Sequence, residues 1–333
     1  MSGNLADGSI TVTTSENDKI QIVLNGVKIA SSSEPAIDIQ SADKCFITLA
    51  EGTQNSLSDG NAFTSEDANA CIYATCDLTI NGSGSLDVSG NYRHGVFSKD
   101  DLVVYGGSIN VSAVEDGLNG KGGQAGEAPS DLGQAPDVQG GMERVGQAPG
   151  GQGGAPGASD SNCLIQINGG KVVLDSQGDG VDSNGNVEIN GGTLLVNGPS
   201  GDGDGAFDYD GEATISGGTV LMAGAVGMAQ SFTSGTQAFA LVRASGSVGS
   251  VIEATDADGN VIATLTATRA FGCVLVSGTG VSDGDTITVS VDGAATMATA
   301  STTGTSGIAT GGSGGMGGGP ATGNRPEGQG GSA

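Results

Sequence analysis

Tryptophan is absent, and phenylalanine (7) and tyrosine (4) are scarce in these 333 residues. An aromatic-rich globular core is therefore excluded. No apolar run reaches the length a membrane-spanning helix needs. Basic side chains are few, with 11 Lys and Arg against 37 Asp and Glu, for a formal net charge of -26. Phosphate recognition needs a basic footprint, so nucleic acid is excluded as a partner. An anionic membrane surface is excluded for the same reason. The start, Met1-Ser2-Gly3-Asn4, has no basic region followed by an apolar stretch, so no signal peptide is expected in this chain. The chain is then either trimmed or cytoplasmic. The five cysteines are odd in number and show no C-x-x-C spacing, so they settle neither a metal site nor a compartment.

What the sequence has in excess is glycine, 63 residues without a G-X-Y period, which excludes collagen. The glycines fall within a repeat. It reads Ile165-Gln166-Ile167-Asn168-Gly169-Gly170-Lys171-Val172, then Val187-Glu188-Ile189-Asn190-Gly191-Gly192-Thr193-Leu194, then Ala213-Thr214-Ile215-Ser216-Gly217-Gly218-Thr219-Val220. Earlier copies start at Leu78 and Leu102, and weaker ones at Ile20 and Ile47. The clear intervals are 22 to 26 residues, from Ile165 to Val187 and from Val187 to Ala213. Short strands of period two, rich in Val, Ile and Thr, meet the same corner each time. A repeat that cannot bury its own apolar face must stack on its neighbour. The expected fold is all-β: a right-handed parallel β-helix of about seven turns, Ile10 to Met228, with a small antiparallel β cap at the C-terminal end. The expected boundaries are 9–232 for the helix, with a disordered insertion at 122–161, 233–293 for the cap, and 294–333 for a disordered Gly-rich tail. Within the cap, Val251–Thr255 and Val261–Leu265 read as a hairpin about Asp256-Ala257-Asp258-Gly259-Asn260.

A second motif recurs at one corner: Glu115-Asp116-Gly117-Leu118-Asn119, Gly178-Asp179-Gly180-Val181-Asp182 and Asp204-Gly205-Ala206-Phe207-Asp208. Stacking would place Asp116, Asp179 and Asp204 in one column, with Asn119, Asp182 and Asp208 beside it. Carboxylates at that spacing repel unless protonated, solvated or bridged by a cation. Two readings stay open: turn capping by Asx side chains, and a site for Ca²⁺, which takes six to eight oxygens. The candidate metal ligands are thus Asp116, Asn119, Asp179, Asp182, Asp204 and Asp208. His94, alone of its kind, occupies the place of the next turn's aspartate and reads as a surface residue. Lys99 and Lys121, with Asp202, Tyr209 and Asp210 from the dense acidic run, are the candidate polysaccharide contacts. Cys45 and Cys76 each precede a strand by two residues and would be neighbours in a buried thiol ladder rather than a disulfide.

The stretches Ile20–Gly60, Asp77–Lys121 (DLTINGSGSLDVSGNYRHGVFSKDDLVVYGGSINVSAVEDGLNGK) and Cys163–Phe232 resemble the bacterial carbohydrate-binding domain-containing proteins, as do Gly227-Met228-Ala229-Gln230 and the hairpin. His94 and Cys76 depart from the pattern. The resemblance implies a pectate-lyase-like parallel β-helix that binds Ca²⁺ and plant-cell-wall polysaccharides such as polygalacturonate and cellulose, without demonstrated cleavage. The expectation is a monomeric, non-catalytic binding protein, extracellular or at the cell surface. The alternatives are a calcium-dependent polysaccharide lyase, with Arg93 or Lys121 as base, and a structural surface adhesin.

Overall fold

The computed structural model describes residues 1–64, 68–122 and 163–304. Their strands follow three parallel ladders, and each coil contributes one strand to each ladder. The first ladder runs from Lys19–Leu24 through Lys44–Leu49, Asp77–Gly82, Leu102–Val104, Leu164–Ile167, Asn186–Ile189 and Ala213–Ile215 to Ser234–Val242. The second runs from Gly3–Leu5 to Thr219–Gly224. The third joins Ile10–Thr13, Ile37–Ser41, Ala70–Ala74, His94–Ser98, Leu118–Gly120, Val181–Ser183 and Phe207–Tyr209. Six coils carry all three strands, with a partial coil at either end. This is the expected parallel β-helix.

The alternation read from the sequence decides which side chains face the axis. Ile165, Val187 and Ala213 pair rung to rung and are fully buried, as the repeat requires. Ile47, Ile80, Val104, Ile167, Ile189 and Ile215 form a second inward column. Removing several methyl groups from such a column costs about 2–5 kcal/mol, because neighbouring coils cannot close the gap.

The Gly-Gly corner needs each glycine for a different reason. Gly170, Gly192 and Gly218 have φ of +80°, +79° and +90°, a region that favours residues without Cβ. Gly169, Gly191 and Gly217 have ordinary φ, but a Cβ there would lie 2.6–2.7 Å from a carbonyl oxygen of the preceding coil. The doublet is thus a spacing device as much as a turn.

Toward the C-terminus, Cys273–Ser277 pairs antiparallel with both Thr219–Gly224 and Ser234–Val242, joining the first two ladders. Val251–Thr255, Val261–Thr266, Thr286–Val291 and Ala294–Thr299 form a separate four-stranded antiparallel sheet. Its buried residues, among them Ile252, Ile287 and Val289, pack with the outward-facing Leu195 and Leu221 of the second ladder in a core of their own. Arg269 pairs with Asp175, and the Thr268 amide donates to Asn197 Oδ1 at 3.2 Å, which fastens the cap to the coils.

Several expected boundaries differ. The stacking begins at Gly3, because Gly3–Leu5 pairs with Val27–Ile29. Ser234–Val242 continues the first ladder past residue 232. Ala294–Thr299 and Ser301–Thr303 are strands, so the tail does not begin at 294. The remainder of the expected tail beyond 304, and the expected insertion from 123 onward, lie outside the described residues. The weak early copies were also aligned two residues out. Ile22, not Ile20, stands beside Ile47, and Cys45 faces Leu78 rather than Cys76. All five cysteines are buried and unbonded. Among the described residues no helix is long and apolar enough to cross a membrane.

Candidate functional site

The corner motif places its residues through the third ladder. Leu118, Val181 and Phe207 pair rung to rung and point inward, so Asn119, Asp182 and Asp208 pair on the outer face. Two residues before each inward anchor the chain turns the corner, which stacks His94, Asp116, Asp179 and Gly205 in consecutive coils. Gly180 permits this close stacking, since a Cβ there would lie 2.3 Å from the Ala206 carbonyl oxygen.

Asp116, Asp179 and Asp182 each bring a carboxylate oxygen within 4.8 Å of the other two. All three are buried. The Asp179 amide donates to Asp116 Oδ1 at 2.9 Å, and the Gly205 amide donates to Asp179 Oδ1 at 2.6 Å. Asn119 Nδ2 donates to Asp116 Oδ2 at 2.5 Å and to Asp182 Oδ2 at 2.8 Å. Lys121 Nζ donates to that same Asp182 oxygen at 2.7 Å. His94 Nδ1 lies 2.9 Å from Asp116 Oδ2, and Arg93 Nε donates to Glu115 Oε2 at 2.7 Å. A groove of about 460 Å³ opens over Arg93, His94, Asp116, Lys121, Asp179 and Asp204.

The electrostatics follow from burial of like charges. Burial pushes the Asp179 carboxyl up to about 8; the Gly205 amide opposes this, while Asp116, Asp182 and Asp208 add to it. Burial also raises Asp182, partly offset by Lys121. For Asp116, burial works upward too, but His94, Asn119 and the Asp179 amide outweigh it and hold the carboxyl below its ordinary value. Burial would lower the Lys121 ammonium, yet Asp182, Asp116 and Asp179 raise it. Burial raises Asp208 as well.

Whether a hard cation fits can be tested on one atom. Asn119 Oδ1 is buried and has no hydrogen-bond partner among the described residues. It belongs to a residue already touching two of the three carboxylates. An orphan carbonyl oxygen beside three acids is the donor set hard cations favour, so this cluster could bind a metal.

The structure brings only some of the expected site residues together. Asp116, Asn119, Asp179 and Asp182 come together, and Asp208 stands one rung further on. Asp204 does not join the column: it is one residue short of it, exposed, and Gly205 takes the place beside Asp179. Lys121 reaches the cluster, and Lys99 holds the equivalent place one coil earlier, exposed. Asp202 Oδ1 accepts from the Gly227 amide at 2.9 Å, on an exposed loop. Tyr209 packs against the core, and its hydroxyl donates to the Ser231 carbonyl at 2.5 Å, which ties it to structure rather than leaving it presented. Asp210 is exposed. His94 is the main correction: it is 5% exposed, not a surface residue. Its place in the repeat was the available signal, because that place is a corner interior. Tyr73 and Phe97 were missed altogether. They occupy the same outward column as Asn119, and their rings stack with centroids 5.0 Å apart and planes 9° from parallel.

Residues 1–126 match the family model described as carbohydrate-binding domain-containing protein. A carbohydrate-binding domain-containing protein of Acetivibrio thermocellus is 39% identical over 117 residues, which cover 34% of this chain and 41% of that one. The match thus spans about two fifths of the relative's length. Among solved structures, a polysaccharide lyase-like protein from C. thermocellum, determined as a gadolinium derivative, is 27% identical with a TM-score of 0.47, covering 66% of this chain and 79% of that chain. His94, Asp116, Asn119 and Lys121 lie within the matched residues, whereas Asp179, Asp182 and Asp208 lie beyond them.

Proposed function

We propose that this carbohydrate-binding domain protein binds acidic polysaccharide of the polygalacturonate type outside the cell or at its surface, through Ca²⁺ held at the corner cluster, and does not cleave it. The observation that carries the reading is the buried triad Asp116, Asp179 and Asp182 beside the unpartnered Asn119 Oδ1. These four residues would hold the ion, with Asp208 on the next rung. A bound Ca²⁺ would supply positive charge to a chain that otherwise repels anionic sugars. Lys121 and Arg93 edge the same groove and add the cationic contacts that a uronate carboxylate needs.

The lyase alternative asks for a basic side chain free to take a proton. Arg93 is held by Glu115 at 2.7 Å and Lys121 by Asp182 at 2.7 Å, and each partner stabilises the charged form. That favours binding over cleavage. The experiment is retention of the protein on polygalacturonate in calcium and in EDTA, with release of unsaturated product followed in parallel. Retention in calcium that is lost in EDTA and lost in the Asp179→Asn/Asp182→Asn variant is expected, with no product. Equal retention in EDTA would remove the cation from the reading, and product formation would replace binding by lysis.

A further inference from the structure

A second concavity of about 520 Å³ opens on the same outer face, toward the N-terminal end, lined among others by Glu34, Asp38, Gln40, Phe63, Tyr73 and Thr75. Its volume lies in the range of small-ligand sites. The outward column passes directly through it. Asp38 pairs with Tyr73, Tyr73 with Phe97, and Phe97 with Asn119. Tyr73 is therefore two rungs from the acid cluster, roughly 10 Å at the usual strand spacing.

The chemistry of the two places differs. Phe97 covers one face of the Tyr73 ring in a near-parallel stack, and the cavity lies on the Asp38 side. Phe63 stacks on Tyr92 with centroids 4.4 Å apart and adds apolar surface at the rim. Gln40 Nε2 donates to Asp38 Oδ2 at 2.8 Å, and Thr13 Oγ1 donates to Gln40 Oε1 at 3.0 Å, so the polar groups are held in place. Among the described residues no Lys, Arg or His lines the cavity. A uronate carboxylate here would face Glu34 and Asp38 with nothing to balance it. A ring carrying only hydroxyls meets no such penalty: its O–H groups can donate to carboxylate oxygens, and its C–H face can lie on an aromatic ring.

We infer that this cavity is a subsite for an uncharged pyranose ring of a glycan chain, with Tyr73 as its platform and Asp38 and Gln40 as its hydroxyl partners. The inference rests on the carbohydrate reading of this face, but assigns it two chemically distinct places. One is acidic and, in that reading, metal-dependent; the other is aromatic and metal-independent.

Titration calorimetry on the full chain in EDTA tests it, with cellohexaose, mannohexaose and xylohexaose as neutral probes and polygalacturonate in calcium as the reference. At least one neutral hexaose should bind in EDTA. Tyr73→Ala should weaken that binding about tenfold or more, while Tyr73→Phe keeps it. Asp179→Asn/Asp182→Asn should leave it unchanged. Asp38→Ala, at a half-buried surface position, is the second variant should Tyr73→Ala fail to fold, and it should weaken binding likewise. Retention of polygalacturonate with no neutral hexaose bound would overturn the inference alone, as would neutral binding indifferent to both variants. Failure of every glycan to bind would sink the carbohydrate reading with it.

Discussion

Two halves of one outward column carry different chemistry on the same backbone. In the early coils the column reads Thr11, Asp38, Tyr73, Phe97; in the late coils it reads Asn119, Asp182, Asp208. The inward neighbours hardly change: Ile37, Ile72, Val96, Leu118 and Val181 are all fully buried aliphatics. Stability is therefore carried by one set of alternate positions, and the recognition proposed above by the other. A parallel coil can exchange its outward residue without disturbing the core, which is why an aromatic stack and a carboxylate cluster can sit on adjacent rungs.

The sharpest way to break this comparison is to add the ion. Calcium at about a hundredfold excess over its Kd should stabilise the protein by about 3 kcal/mol in urea melts. Asp179→Asn/Asp182→Asn should abolish that gain, and Tyr73→Ala should leave it intact. A gain surviving the double substitution would move the ion elsewhere.

A smaller effect separates two lysines in equivalent places. Lys121→Met in EDTA leaves Asp182 buried without its cation and should destabilise by about 2 kcal/mol. Calcium should shrink that deficit, since the ion offsets the same charge. Lys99→Met, one coil earlier and exposed, should change stability by less than about 0.5 kcal/mol. Equal losses at both positions would show that Lys121 contributes through packing alone.

The smallest effect is on the pH slope. Burial raises Asp59 to about 6 and Asp179 to about 8. A carboxyl whose folded pKa lies above its unfolded value keeps a proton that the unfolded chain gives up, so stability falls as pH rises from the unfolded value through the folded one. In EDTA, thermal melts should drop between pH 4 and 6 through both groups. Between pH 6 and 8 they should drop through the late half only. Asp179→Asn should flatten the upper window, and Asp59→Asn should only lessen the lower, where Asp101 and Asp182, each raised to about 6, also contribute. A melt that rises from pH 6 to 8 in EDTA would contradict the crowding of the cluster.

The late coils were legible in the sequence because their copies are dense and evenly spaced. Ile165, Val187 and Ala213 announce their own register, and Asn119, Asp182 and Asp208 follow from it. The early coils were harder. The step from Ile47 to its partner Ile80 spans 33 residues, long enough to hide a shift of two, and with it the true neighbour of Cys45. Asp204 failed for a related reason. The dense run Asp202 to Asp210 offers several carboxylates in a row, and only the pairing of Phe207 with Val181 decides which one reaches the column. Tyr73 and Phe97 were hidden by composition: a chain poor in aromatic residues gave no reason to look for two of them aligned across coils.

Gly205 has a consequence of its own. By standing where another aspartate would extend the stack, it answers Asp179 with an N–H donor but adds no third acid to Asp116 and Asp179. The corner column of carboxylates therefore ends at this coil, while the outward column continues one rung further to Asp208. A continuous polyelectrolyte stripe would gather counterions diffusely and in no fixed number; a corner column closed by a backbone amide would confine any ion it took to the coils before the glycine.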